Sequence, residues 1–72
     1  MEFILEAEYI ELVKLLKIQG LADTGGQSKQ MISEGIVLVN GEPELRKRAK
    51  IRPGDVVEAS GSTIHILSAS AT

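Results

Sequence analysis

The segment TGGQSKQMISEGIVLVNG, residues 24 to 41, contains a helix start, a helix end and a strand followed by a tight turn. Thr24 and Gln27 have the spacing of a capping box, in which two side chains bond the free backbone N–H groups at a helix start. Gly35 suits the left-handed conformation that often follows a helix. These signals predict a helix from Gly25 to about Glu34, short enough to depend on packing against other elements.

The residues after Gly35 are typical of a β-hairpin. A β-branched run ends at Val39, and Asn40-Gly41 suits a type I′ turn because both of its central positions need positive φ. Pro43 lacks an N–H group and therefore indicates an edge strand. Two further turns are predicted at 52 to 55 and 60 to 62, with strands at 56 to 59 and 63 to 67.

The residues before the central segment have the spacing of an amphipathic helix. Apolar side chains recur at i, i+3, i+4 and i+7, and one turn earlier: Leu5, Tyr9, Leu12, Val13 and Leu16. This spacing predicts a helix from Glu6 to Gln19 that ends at Gly20. The predicted fold class is α+β, with two N-terminal helices on one side of a small, mostly antiparallel sheet.

The composition is typical of one intracellular domain. The chain has 72 residues and no cysteine, so it offers no disulfide framework and no thiolate metal site. No apolar run approaches the ~20 residues that span a membrane. The acidic N-terminus also differs from the basic start of a secretory signal. We expect a single cytoplasmic domain over residues 1–72, with its core at 6–67 and a flexible tail at 68–72.

The distribution of charge is uneven, although the net charge is only −2. Residues 46 to 52 carry five positive charges and no acid, whereas residues 1 to 23 carry five acids and two lysines. Such a basic cluster can bind the phosphates of a nucleic acid, whatever the net charge of the chain. A solvated basic surface with no ligand is an equally ordinary interpretation of this pattern.

The start of the predicted second helix is a further candidate site for anions. Gly25 and Gly26 leave free backbone N–H groups accessible there, and such groups attract phosphates. The candidate RNA-binding residues for phosphate contacts are Gly25, Gly26, Lys29, Arg46, Lys47, Arg48, Lys50 and Arg52, with Lys14 and Lys17 as an extension. Gln27 and Ser28 are candidates for polar contacts to sugar or base edges.

The sequence does not favour catalysis. His65 is the only histidine, it lies in a predicted strand, and no pair of carboxylates is placed for acid–base work. We expect no catalytic residue, no metal, no cofactor and no small-molecule substrate. Phe3 and Tyr9 are the only aromatic residues, so recognition of structured RNA by shape and phosphate contacts is favoured over base stacking.

Several motifs resemble the RNA-binding domain named after ribosomal protein S4, also called the αL motif. The matching positions are Gly20-Leu21, Thr24, Gly35, Val37, Val39-Asn40-Gly41 and Gly54-Asp55-Val56-Val57. The resemblance implies two helices on a short, bent sheet, with the second helix and the adjoining loop forming a face for structured RNA. Lys29 matches a basic position of that face. Glu11 and Gly25 stand where the family often has arginine, and residues 46 to 50 replace a common Pro-Ser pair.

Two functions remain open from the sequence. The first is a stand-alone, monomeric module that binds ribosomal or transfer RNA, as in the small bacterial members that the chain resembles. The second is a protein-interaction adaptor whose basic segment docks on an acidic partner. Neither of the two involves a membrane.

Overall fold

The computed structural model describes residues 1 to 69, in which two helices pack on β-structure. The elements are β1 (Glu2–Leu5), β2 (Ile10–Glu11), α1 (Leu12–Ile18), α2 (Gly25–Ser33), β3 (Leu38–Val39), β4 (Glu42–Pro43), β5 (Lys50–Ile51), β6 (Val56–Ala59) and β7 (Ser62–Ser68). Five strands form a sheet in the order β1-β7-β6-β3-β4, and β2 pairs with β5 separately. Only β1 and β7 run parallel among these described strands. The α+β class and the mostly antiparallel sheet are confirmed.

The prediction that the chain begins with its two helices is wrong, because β1 and β2 precede α1. Helix α1 begins at Leu12 rather than near Glu6. In β1 the buried Leu5 and half-buried Phe3 alternate with exposed residues, which is the period of a strand. Tyr9, placed on the apolar stripe by its spacing, is instead 38% exposed, and its neighbour Ile10 is buried.

The folded region also exceeds the predicted core of 6–67 at both ends. Leu5 is buried and pairs with Ser68, which the sequence had placed in a flexible tail. The N–H group of Ala69 donates a 3.1 Å hydrogen bond to the carbonyl of Leu5. The remaining residues of the predicted tail, 70 to 72, lie outside the described residues.

The core is aliphatic and is shared by both helices and both sheets. Helix α2 contributes Met31 and Ile32, which face inward as expected. Besides Ile32, the fully buried large side chains are Leu12, Leu15, Leu16, Val37, Ile51, Val57, Ile64 and Ile66. The β2–β5 pair is therefore fixed to the same core as the larger sheet through Ile51.

Helix α2 has the predicted cap. The Oγ1 atom of Thr24 accepts a 3.1 Å hydrogen bond from the N–H group of Gln27. The Oε1 atom of Gln27 accepts at 2.7 Å from the N–H group of Asp23, one residue before the usual capping-box partner. Gly35 follows the helix with φ of 74°, the left-handed conformation expected for it.

We expect Thr24→Ala to lower the free energy of unfolding by about 1 kcal/mol, because the N–H group of Gln27 would lose its acceptor. Equilibrium urea denaturation measures this loss, and Thr24→Ser, which keeps a hydroxyl acceptor, is the matched control. Equal stability of the alanine and wild-type proteins would show that the cap hydrogen bond contributes nothing to the free energy of unfolding.

The two predicted turns that the family motifs mark are joined by side-chain hydrogen bonds. Asn40 and Gly41 have φ of 53° and 86°, as a type I′ turn requires. The Nδ2 atom of Asn40 donates to Oδ1 of Asp55 at 3.1 Å, and its Oδ1 accepts from the N–H group of Val56 at 2.9 Å. Pro43 lies in β4 at the sheet edge, also as expected.

Candidate nucleic-acid interface

The basic segment is partly a β-strand rather than a free loop. Ala49 and Ile51 are buried, and the cations beside them, Arg48, Lys50 and Arg52, are exposed. The register of β2 and β5 pairs Ile10 with Ile51 and Glu11 with Lys50. Lys50 faces solvent within β5, and Arg48 and Arg52 are exposed on either side of that strand. We call the β2–β5 pair, together with Arg48 and Arg52 beside it, the ribbon.

Two arginines of the basic segment are held by carboxylates. The Nε atom of Arg48 lies 2.9 Å from Oε2 of Glu11. Arg46 forms a bidentate pair with Glu44, with both N–O distances at 3.1 Å. Hydrogen bonds from Arg46 lower the pKa of the Glu44 carboxyl. Exposed ion pairs of this kind are weak, so a phosphate can compete for either arginine.

The remaining cations of the segment have no carboxylate within ion-pair distance in the described part of the chain. Lys50 and Arg52 instead lie over the ring of Tyr9, with Nζ 5.0 Å and Cζ 5.9 Å from the ring centre. These distances are those of cation–π contacts. Lys47 is exposed to solvent.

A second group of cations lines a groove between α1 and α2. Lys14 and Lys17 from α1 and Lys29 from α2 surround an open groove of about 610 Å³ with Gly25. Val13 and Ile18 supply its apolar part. The two lysines proposed as an extension therefore join two residues of the main candidate set.

A backbone contact brings the groove and the ribbon together. The N–H group of Val13, which lines the groove, donates a 3.1 Å hydrogen bond to the carbonyl of Lys47. The preceding N–H group, of Leu12, donates to the carbonyl of Ala49 at 2.9 Å. The basic segment is thus bonded to the first turn of α1, and the two groups of cations are neighbours.

The structure removes one residue from the candidate surface. Ser28 is fully buried, and its Oγ atom donates a 3.2 Å hydrogen bond to the carbonyl of Thr24. Its side chain therefore has no surface to offer RNA. Gly26, Gln27 and Lys29 are exposed, and Gly25 is half-buried.

Sequence reasoning missed Tyr9 and Glu11 as parts of this surface. Both stand in or next to β2, which was expected to be helical. A signal was present for the partner strand β5, since Arg48-Ala49-Lys50-Ile51-Arg52 alternates charged and apolar residues as a half-buried strand does. The pairing of β5 with β2 is what brings Tyr9 and Glu11 to this surface.

A family model for the S4 domain matches residues 3–67. The chain belongs to the S4 domain family. Its αL resemblance is thereby confirmed, and the solved structure of YbcJ from Escherichia coli agrees, with a TM-score of 0.70 and 39% identity over 92% of this chain and 85% of that one. That structure is described as showing an αL motif involved in RNA binding.

The chain is also similar to two other known proteins, one in sequence and one in fold. It is 42% identical to "Probable ribosome maturation protein RlbA" of Bacillus subtilis over 57 residues, which cover 79% of this chain and 80% of RlbA. Ribosomal protein S4e from Thermoplasma acidophilum shares the fold, with a TM-score of 0.67 and 20% identity over 81% of this chain and 31% of that one. The sequence of YbcJ itself aligns at 41% identity over 59 residues, 82% of this chain and 84% of YbcJ.

Glu11 stands at a position where the resemblance to the family led us to expect an arginine. In this member the Arg48 guanidinium lies against that glutamate at 2.9 Å. A cation therefore stands beside the position although the residue itself is acidic.

Other kinds of site have little support in the described residues. Residues 1 to 69 contain no group of three or more side chains placed to hold a metal ion. Neither helix in that range has the length and apolarity needed to cross a membrane. His65 is exposed on β7.

Proposed function

We propose that this S4 domain binds structured RNA, of the ribosomal or transfer type, through the cations of the ribbon and through the groove between α1 and α2. The cations are Arg48, Lys50 and Arg52 on the ribbon and Lys14, Lys17 and Lys29 in the groove. We also propose that the domain catalyses no reaction. The observation that carries the proposal is the Val13–Lys47 hydrogen bond, which makes neighbours of two cation groups that are distant in sequence. The described function of YbcJ and the name of RlbA support it.

The chemistry of this surface suits an RNA backbone. Lysine and arginine side chains near phosphates release bound counterions, which supplies most of the affinity in such complexes. The groove is formed by α1 and α2 and the ribbon by the β2–β5 pair, so the fold sets where the cations stand, and one nucleic-acid shape can fit that placement better than another. We propose that one copy of the chain acts on its RNA in the cytoplasm.

Affinity measured against salt concentration tests the proposal. A folded RNA hairpin and a DNA hairpin of equal length and charge would be compared by fluorescence anisotropy. With five phosphate contacts, the logarithm of the RNA association constant should fall with the logarithm of salt with a slope of about −4. The RNA should bind more tightly, because A-form geometry and 2′-hydroxyls differ from DNA. Equal affinities would indicate an unspecific cationic surface, as an adaptor for acidic partners would have.

We expect Glu11→Gln and Glu44→Gln each to tighten RNA binding by about two- to fivefold, since each change releases an arginine from an exposed ion pair. Glu2→Gln is the matched control, because it removes the same charge from β1 and should change affinity least. The same anisotropy assay measures the RNA binding constants of the three variants and of the wild-type protein. Equal gains in all three variants would mean that only net charge matters.

A further inference from the structure

We propose that Tyr9 stacks on an unpaired nucleobase of the bound RNA while Lys50 and Arg52 contact the phosphates next to it. The inference rests on the RNA-binding function proposed above and adds a site for a single nucleotide to it. Its basis is the position of one exposed aromatic ring directly beneath two cations.

The ribbon places these three side chains on one face. Tyr9 directly precedes β2, and the pairing of Ile10 with Ile51 puts Arg52 opposite Tyr9 in the continued register. Ile10 and Ile51 point to the core, so Tyr9, Lys50 and Arg52 all point to solvent. The pairing of β2 with β5 therefore brings the segments that carry the three side chains side by side, and both cations lie over the Tyr9 ring.

The ring is accessible to a ligand. Tyr9 is 38% exposed. An open recess of about 360 Å³ lies beside it, lined also by Ala7, Glu8 and Lys14. Lys14 also lines the α1–α2 groove, so the recess and the groove share one lining residue.

Aromatic rings flanked by cations are the usual means by which proteins hold unpaired nucleotides. The base stacks on the ring and the cations neutralise the backbone, with little preference among the four bases. The contacts of Lys50 and Arg52 with the ring are exposed and weak, so a base can displace one of them toward its own phosphate. A base inside a duplex exposes only its edges, so this site requires a bulged, looped or terminal nucleotide.

The intrinsic fluorescence of the protein gives a direct readout. Tyr9 is the only tyrosine and the chain has no tryptophan, so its emission reports on this ring alone. Three RNA hairpins of the same stem would be titrated: one with a single bulged nucleotide, one with an abasic residue at the bulge, and one fully paired. The abasic hairpin has the same charge as the bulged one and lacks only the base.

We expect the bulged hairpin to bind on the order of tenfold more tightly than the abasic one and to quench Tyr9 emission more strongly. Tyr9→Leu should abolish this preference while retaining affinity for the paired stem, and Tyr9→Phe should keep the preference. Circular dichroism of each variant checks that the fold is retained.

The outcomes separate this inference from the function on which it rests. If all three hairpins bind equally and Tyr9→Leu has no effect, stacking is overturned and the RNA-binding proposal stands. If none of the hairpins binds, the proposed function fails, and the nucleotide site fails with it.

Discussion

Replacing Lys47, Lys50 and Arg52 together with glutamate should weaken binding to structured RNA by at least about two orders of magnitude at ~0.1 M salt. These are the cations of the basic segment that no described carboxylate holds, so they are free to meet phosphates. Losing three phosphate contacts should also reduce the slope of the salt dependence by about 3. Anisotropy titrations at several salt concentrations give both quantities.

The same three positions changed to glutamine provide a graded control. Neutral side chains remove the attraction without adding repulsion, so that variant should have an affinity between those of the wild type and the glutamate variant. Urea denaturation should show little change for either, because all three side chains are exposed. Unchanged RNA affinity in the folded glutamate variant would place the site away from the ribbon.

Ile51→Ala should lower the free energy of unfolding by about 3 kcal/mol. Ile51 is 1% exposed and lies between Lys50 and Arg52, so it fixes the cation-bearing strand to the core. Removing its buried methyl and methylene groups loses apolar burial and leaves a cavity. A domain of 72 residues buries little apolar surface and therefore has a small free energy of unfolding, so the variant should be marginally stable.

Equilibrium urea unfolding of Ile51→Ala and Ile51→Val tests this packing. The valine variant removes only one methyl-sized group and should lose about 1 kcal/mol. An alanine variant as stable as the valine one would contradict the tight packing of the ribbon, and with it the fixed arrangement of its cations.

Local signals predicted the middle of the fold well. The Thr24 cap, the Gly35 helix end and the Asn40-Gly41 turn each depend on residues within four positions of one another, and all three are confirmed. The N-terminal strand depends on a partner more than sixty residues away, because Leu5 pairs with Ser68. No pattern within residues 2 to 5 identifies that partner, and the spacing of Leu5 and Tyr9 also fits a helix.

The cations of the candidate surface were evident from composition, but their grouping was not. Which of them share a face depends on the β2–β5 register, and which are held by acids depends on Glu11 and Glu44. The burial of Ser28 could have been predicted, since Ser28, Met31 and Ile32 have the i, i+3, i+4 spacing of one helix face.

The location of the RNA surface can be measured by a nitrogen-15 NMR titration of the protein with a structured RNA hairpin, beside a DNA hairpin of equal charge. We expect shifts at the amides of Lys14, Lys17 and Lys29 and of residues 47 to 52, larger with RNA, while β1 and β4 stay unchanged. Shifts that avoid both groups of cations, or that are equal with DNA, would contradict an RNA surface formed by the ribbon and the groove.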